Sequence, residues 1–147
     1  MNKLKIGLFV DAFFPTYDGV VKYVDGIARG LKEKCDITLF CPGMETNEFY
    51  ADFPYKIIRC KYKKIIGIPY VMPLPKQDKQ FLNALRESKF DLVHIHSPFA
   101  VGKLGYQYAQ KNNIPVVTTF HSQFKKDFYH HTKSLILTKI LLKNIIH

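Results

Sequence analysis

Between Phe90 and Lys126 the chain reads FDLVHIHSPFAVGKLGYQYAQKNNIPVVTTFHSQFKK. A short apolar run, Leu92 to Ile95, ends in His94-Ile95-His96-Ser97-Pro98. A helical stretch follows, then a second apolar run, Val116 to Phe120, that ends at His121. Two consecutive strands therefore end in polar, histidine-bearing turns. In an open parallel sheet such turns lie side by side along one edge, the edge at which ligands bind.

The rest of the chain repeats this alternation of strand and helix. Lys5 to Val10 is an apolar run of strand length closed by Asp11. Gly19 to Lys34 predicts a helix, because Val20, Val21, Val24, Ile27, Ala28 and Leu31 recur at three- and four-residue steps. Asp18 stands where its side chain can accept from free N–H groups of the first turn. Ile37 to Phe40 and Tyr55 to Cys60 predict two further strands, with Met44 to Pro54 as a loop between them. Ile65 to Pro75 holds three prolines and one glycine, which excludes a regular helix or a central strand. Gln77 to Lys89 predicts a helix with Phe81, Leu82 and Leu85 inward, Phe99 to Lys111 a third helix, and Thr132 to Ile146 a last, strongly apolar one. Strands that are mostly apolar rather than alternating belong to a sheet buried on both faces. The expected fold is a doubly wound, Rossmann-like α/β domain with about five parallel strands.

Composition bounds the function. The 147 residues are 47% hydrophobic and 23% charged, a globular balance. No stretch approaches the ~20 apolar residues of a membrane span, and the short apolar run before Asp11 fits a first strand better than a signal peptide. A cytosolic protein is expected. Cys35, Cys41 and Cys60 form no CxxC pair and are expected as reduced thiols. The formal charge of +10, with clusters at Lys61-Tyr62-Lys63-Lys64 and Lys125-Lys126, favours anionic partners such as nucleotides or an anionic membrane surface. Nucleic acid is not expected, since no nucleic-acid-binding motif accompanies the charge.

Three turns hold the candidate chemistry. The first, Asp11 to Val20, lacks G-x-G-x-x-G but has Gly19 at a helix start, where backbone can approach a ligand and a phosphate is favoured; a plain capped helix explains it equally well. The second is His94-Ile95-His96. Residues two apart on a strand share a face, so the pair can chelate a metal with His121 as third ligand, although no metal is the expectation and one histidine is expected as a satisfied polar group in the core. The third is Thr118 to Lys126, where the His121 imidazole can bond sugar hydroxyls or move a proton near neutral pH and the lysines can oppose a phosphate. His94 is expected to point into the packed interior.

The ordered set P-x-x-x-G-V, D-L-V-H-I-H-S-P-F-x-x-G and I-P-V-V-T-T-F-H, read over Pro15 to Val20, Asp91 to Gly102 and Ile114 to His121, resembles the N-terminal domain of the retaining GT-B glycosyltransferases of family 4. The resemblance covers essentially the whole chain. Many members carry two glycines before the valine; here the first is Asp18, a pattern closer to the branch that glucosylates diacylglycerol or other lipids. The resemblance implies two Rossmann-like domains facing across a cleft: the present one on the acceptor side, and a C-terminal one that holds a UDP- or GDP-linked sugar and supplies paired glutamates. It implies no strict need for a divalent metal and no cofactor beyond the nucleotide-sugar substrate. By the same resemblance Gly19 and Asp18 lie at the donor pyrophosphate and His121 at the donor sugar and reaction centre. His96 shapes the acceptor edge, and Lys125 and Lys126 meet an anionic acceptor group.

The chain ends at Asn144-Ile145-Ile146-His147 inside an apolar helical stretch, so residues 1–147 are expected as one truncated domain lacking its C-terminal donor-binding partner. The leading expectation is transfer of a sugar to a lipid or cell-envelope glycan acceptor, with the protein cytoplasmic and peripheral at the inner face of the membrane. The alternatives are a catalytically inactive module that binds an acceptor or a membrane, and a metal-dependent hydrolase using His94, His96 and His121.

Overall fold

The apolar run after the N-terminus forms β1, Leu4–Phe9, and its neighbours extend it into a parallel sheet in a computed structural model that describes residues 3–44, 52–67 and 70–121. Helix α1 spans Gly19–Leu31, β2 Cys35–Pro42 and β3 Lys56–Cys60. A small antiparallel hairpin follows, β4 Tyr62–Lys64 and β5 Val71–Pro73, then a single 3-10 turn at Pro75–Gln77. Helix α2 is Lys79–Glu87, β6 Leu92–Ile95, α3 Ala100–Asn112 and β7 Val116–Thr118. The five-stranded sheet runs in the order β3-β2-β1-β6-β7 with every pairing parallel. This is the doubly wound, Rossmann-like sheet expected from the alternation. The chain works outward from β1 in one direction, then returns to the other side of β1 with β6. The reversal falls between β1 and β6, the topological switch point at which such sheets bind ligands.

Alternate residues of each strand serve different layers. Ile6, Leu8 and Val10 of the first strand and its extension join Ile37, Leu39 and Cys41 against Val21, Val24 and Ala28 of α1. On the opposite face Phe9, Phe40, Cys60, Val93 and Ile95 meet Phe81 and Leu85 of α2 and Val101 and Ala109 of α3. Phe9 and Phe40 stack there with ring centroids 4.9 Å apart. Helix α3 comes close because it is small where it crosses β1: a Cβ at Gly105 would fall 2.5 Å from the Phe9 ring.

Helix starts follow their caps. The Asp18 side chain accepts from the Val21 N–H at 2.9 Å, as expected. Helix α2 begins at Lys79 rather than Gln77 because Asp78 caps it, accepting from the Phe81 N–H at 3.1 Å. The other Asp78 oxygen accepts from the Lys61 N–H at 2.9 Å, which fixes the base of the hairpin. The hairpin is the main departure from the sequence reading. Prolines excluded a central strand in this segment, but an isolated edge strand has no second ladder to supply, so Pro73 fits opposite Tyr62. The turn leaving β4 has Gly67 at φ +84°, a conformation that side chains rarely adopt. The last strand ends at Thr118, two residues short of expectation, and Phe120 has left the sheet, 73% exposed. The expected helix over 132–146 and most of the expected loop at 44–54 lie outside the described residues.

Candidate functional site

The ends of β1, β6 and β7 are level with one another. Beyond each strand one further backbone bond continues the ladder: Val10 N–H to Phe40 O at 3.1 Å, His96 N–H to Phe9 O at 2.9 Å, and Thr119 N–H to Ile95 O at 2.9 Å. These bonds bring the three sequence-predicted turns to one edge. Gly19 at the start of α1, His96 after β6 and His121 after β7 therefore share the switch-point side of the sheet. Lys125 and Lys126, the expected acceptor-side lysines, lie outside the described residues.

Leu8 pairs with His94 in the β1–β6 register, so His94 and His96 lie on the α1 face of the sheet, as residues two apart should. Their rings lie 4.0 Å apart. His94 Nε2 is 2.8 Å from Thr119 Oγ1, and His96 Nδ1 is 3.2 Å from His121 Nε2. Tyr23 of α1 packs edge-on against His121 with centroids 4.9 Å apart. The enclosed histidine is His96, 3% exposed, whereas His94, expected in the interior, is only half-buried. His94 meets the Thr119 hydroxyl rather than a packed core. Burial lowers the His96 imidazole to about 3, with His94 and His121 adding to the effect. Burial also lowers His94 and His121, the latter opposed by Asp18. The cluster is thus neutral at pH 7. One ring of the His96–His121 pair donates and the other accepts, and His96 Nε2 is left buried without a partner. The imidazoles hydrogen-bond and stack on one another, and among the described residues no group of three or more His, Cys, Asp or Glu is arranged to hold a metal ion.

In the sequence Asp11 ends the first apolar run and opens the first candidate turn, with no partner to assign to it. It ties the two sides of the switch point together. The Ser97 hydroxyl donates to Asp11 Oδ2 at 2.6 Å, and the Asp11 N–H donates back to Ser97 Oγ at 2.8 Å. The Val101 N–H donates to Asp11 Oδ1 at 2.6 Å and the Gly102 N–H to Oδ2 at 3.2 Å. Helix α3 has no cap from Phe99, its own N-terminal flank, so Asp11 caps it from another element. Burial raises the Asp11 carboxyl, and the Ser97, Val101 and Gly102 bonds pull the other way. Gly102 permits the approach: a Cβ there would sit 1.7 Å from the Ser97 carbonyl oxygen. The small-residue spacing of Gly102 and Gly105 was the available signal.

Gly19 behaves differently. A Cβ there would meet nothing within 4 Å, and the glycine has no left-handed φ, so neither packing nor backbone conformation calls for it. Asp18 is committed on both oxygens, one to the helix cap and one to the Tyr70 hydroxyl of the hairpin at 3.0 Å. That last bond closes the hairpin over the edge. Between them lies a cavity of about 520 Å³. Its lining combines the polar Asp11, Asp18, His96 and His121 with apolar residues that include Val20, Ile65, Met72 and Phe99. A larger depression of about 700 Å³, lined by Lys3, Lys5, Lys32 and Lys56 among others, lies at the start of the strands, away from the histidines.

Sheet order, switch-point edge and cavity define a Rossmann-like ligand-binding domain of the kind that forms the N-terminal half of a GT-B architecture. The chain belongs to Glycosyltransferase Family 4, whose sequence pattern matches residues 17–146. It is 31% identical to alpha-monoglucosyldiacylglycerol synthase of Acholeplasma laidlawii over 139 residues, covering 90% of this chain and 33% of that protein. The protein of the same name from Streptococcus pneumoniae is 24% identical, with 97% of this chain and 32% of that protein covered. A GDP-mannose-dependent alpha-mannosyltransferase of Corynebacterium glutamicum is 23% identical, with 83% and 30% covered. The chain spans about a third of the length of these relatives.

Proposed function

We propose that this chain is the acceptor-side domain of a retaining hexosyltransferase that moves a sugar from a UDP- or GDP-linked donor to a lipid acceptor. The observation that carries the reading is the cavity at the switch point, whose lining is divided between hydrogen-bonding and apolar side chains. A glycerolipid has the same division: a hydroxyl that must meet polar groups beside a hydrocarbon body that must not. Family membership and the names of the two synthases point the same way.

In this reading the free space over Gly19, at the N-terminus of α1, receives the donor's pyrophosphate, which the helix dipole and first-turn N–H groups favour. His121 presents Nδ1 to the sugar, since its Nε2 is engaged with His96. Asp18 serves the donor side indirectly, by holding the helix start and the hairpin. His96 orients His121 from below the acceptor. Lys125 and Lys126 supply positive charge near an anionic acceptor group. A neutral His121 donates a hydrogen bond without adding charge to the site.

The reading is tested with the full-length enzyme, isotopically labelled UDP-glucose and GDP-mannose, and diacylglycerol in mixed micelles. An α-linked glycolipid formed from one donor is the expected product. Transfer only to water or to soluble glycans, or a β-linked product, would overturn it. The inactive-module alternative predicts no turnover with any donor, although acceptor would still bind.

A further inference from the structure

Strands β1, β2 and β3 begin at the end of the sheet opposite the histidines. From Lys5 to Asp11 the distance is about 20 Å, at ~3.3 Å per residue. The depression of about 700 Å³ at this end has the size of a small-molecule site. Four lysines line it and only one carboxylate, Asp36. The sheet register puts three of these charges on one face. Lys5 pairs with Asp36, and Lys56 pairs with Thr38, two residues on from Asp36. Asp36 therefore stands on the strand between Lys5 and Lys56, yet among the described residues none of the three forms an ion pair. Lys3 and Lys32 complete the set, with Lys3 Nζ donating to the Lys32 carbonyl oxygen at the end of α1, at 3.0 Å.

The neighbouring carboxylates are engaged elsewhere. Asp25 is held by Arg29 Nε at 2.9 and 3.0 Å and accepts from the Tyr55 hydroxyl at 2.6 Å, while Asp91 accepts from the Lys5 N–H at 2.8 Å. The same bonds fix Tyr55, which lines the depression, and the backbone of Lys5, so the walls are set before anything binds. Like charges gathered around a concave surface repel one another and concentrate anions from solution. Lysine ammoniums suit phosphate oxygens as point charges; flat, two-pronged recognition of a carboxylate calls for arginine, and the lining has none. A chain of linked phosphates can reach lysines that stand on separate strands, as a single small anion cannot. We infer that this depression binds a soluble oligophosphate, of the class of pyrophosphate and the phosphate chains of nucleotides, with Lys5 and Lys56 as its principal contacts. The inference does not rest on the sugar-transfer reading. Occupancy can be measured without donor or acceptor, and either claim can fail alone.

A reporter is already in place. Cys35 lines the depression and is half-buried, whereas Cys41 and Cys60 are buried. The full-length enzyme is treated with iodoacetamide, and alkylation of the peptide that contains Cys35 is followed by mass spectrometry. Pyrophosphate is the probe; sodium sulfate at matched ionic strength and vesicles of phosphatidylglycerol are the comparisons. The expected result is saturable protection by pyrophosphate, with labelling slowed about tenfold at about ten times the half-protecting concentration, and no protection by sulfate or vesicles. Lys5→Gln with Lys56→Gln should raise the half-protecting concentration at least about tenfold while leaving the circular dichroism melt unchanged, since both side chains are exposed. Lys79→Gln with Lys111→Gln removes the same charge from exposed positions on α2 and α3 and should protect like the parent. Four outcomes would overturn the inference: no protection by pyrophosphate, equal protection by sulfate, protection that survives Lys5→Gln with Lys56→Gln, or equal protection by vesicles. The second would mark a screened basic face and nothing more, and the last would give the surface to a lipid headgroup.

Discussion

Replacing Asp11 with Ala should unfold the switch point before anything else. The carboxylate accepts from the Val101 and Gly102 N–H groups and from the Ser97 hydroxyl, at 2.6, 3.2 and 2.6 Å. Val101 and Gly102 are buried, so their N–H groups have no ready access to water once the acceptor is gone. A buried donor left unpaired costs about 1–3 kcal/mol, and a lost helix cap about 0.5–2 kcal/mol. These effects overlap, because the capping bonds and the orphaned donors are the same groups. We therefore expect a loss of about 2–4 kcal/mol. At roughly 3 °C per kcal/mol for a domain of this size, the midpoint of thermal unfolding should fall by about 6–12 °C. Asp11→Asn keeps one carbonyl oxygen for one of these donors but turns an amide toward the others, so a smaller fall is expected. Far-UV circular dichroism melts of parent, Asp11→Asn and Asp11→Ala at pH 7 measure the order directly. A midpoint for Asp11→Ala within 2 °C of the parent would show that the clamp between the two turns contributes nothing, and the reasoning would fail.

Glycine substitutions should separate packing from ligand space. Gly102→Ala forces a methyl onto the Ser97 carbonyl and should destabilise by about 1–3 kcal/mol or more, whereas Gly19→Ala meets open space and should leave the melt unchanged while weakening donor binding in the full-length enzyme. His121→Ala in that enzyme should slow transfer about 30- to 1000-fold with the fold intact, and near-normal turnover would remove His121 from the reaction centre. His94→Ala should instead lose about 1 kcal/mol of stability, the worth of its bond to Thr119, read from urea unfolding. Lowered histidines give stability that is present above pH 6.5 and lost as pH falls toward their folded values, about 3 for His96. Urea unfolding between pH 7.5 and 5.5 should therefore show falling stability, by up to about 1.4 kcal/mol per pH unit for each fully titrating histidine, and a shallower fall in His96→Gln.

Much of this domain was legible because its strands declare themselves. The runs at residues 5–10, 37–40 and 92–95 are mostly apolar rather than alternating and are followed by polar turns, so sheet type and ligand edge could be read together. The meeting of His96 with His121 followed from placing two turns on one edge. Relations between distant residues were not legible. Asp11 and Ser97 lie 86 residues apart, and nothing local to Asp11 marks it as the cap of a helix that begins at Ala100. The order of burial between His94 and His96 was hidden for a similar reason, since it depends on Tyr23 and His121, which meet His96 from other elements. The hairpin was obscured by Pro73, whose ring argues against a strand only where a second neighbour needs its N–H.

Cys41 and Cys60 lie on opposite faces of the sheet, one in the layer under α1 and the other in the layer under α2 and α3. Burial pushes both thiols up to about 12, so neither reacts while its layer is closed. Cys35, half-buried at the start of β2, is the more accessible thiol and meets a reagent first. The chain thus contains two internal timers. With Cys35 replaced by Ser, the labelling rate of Cys41 records openings beneath α1, and that of Cys60 records openings beneath the other two helices. Equal rates would mean that the domain opens as one unit. A faster Cys41 would mean that the helix leading from the first turn lifts away while the far side of the sheet stays closed.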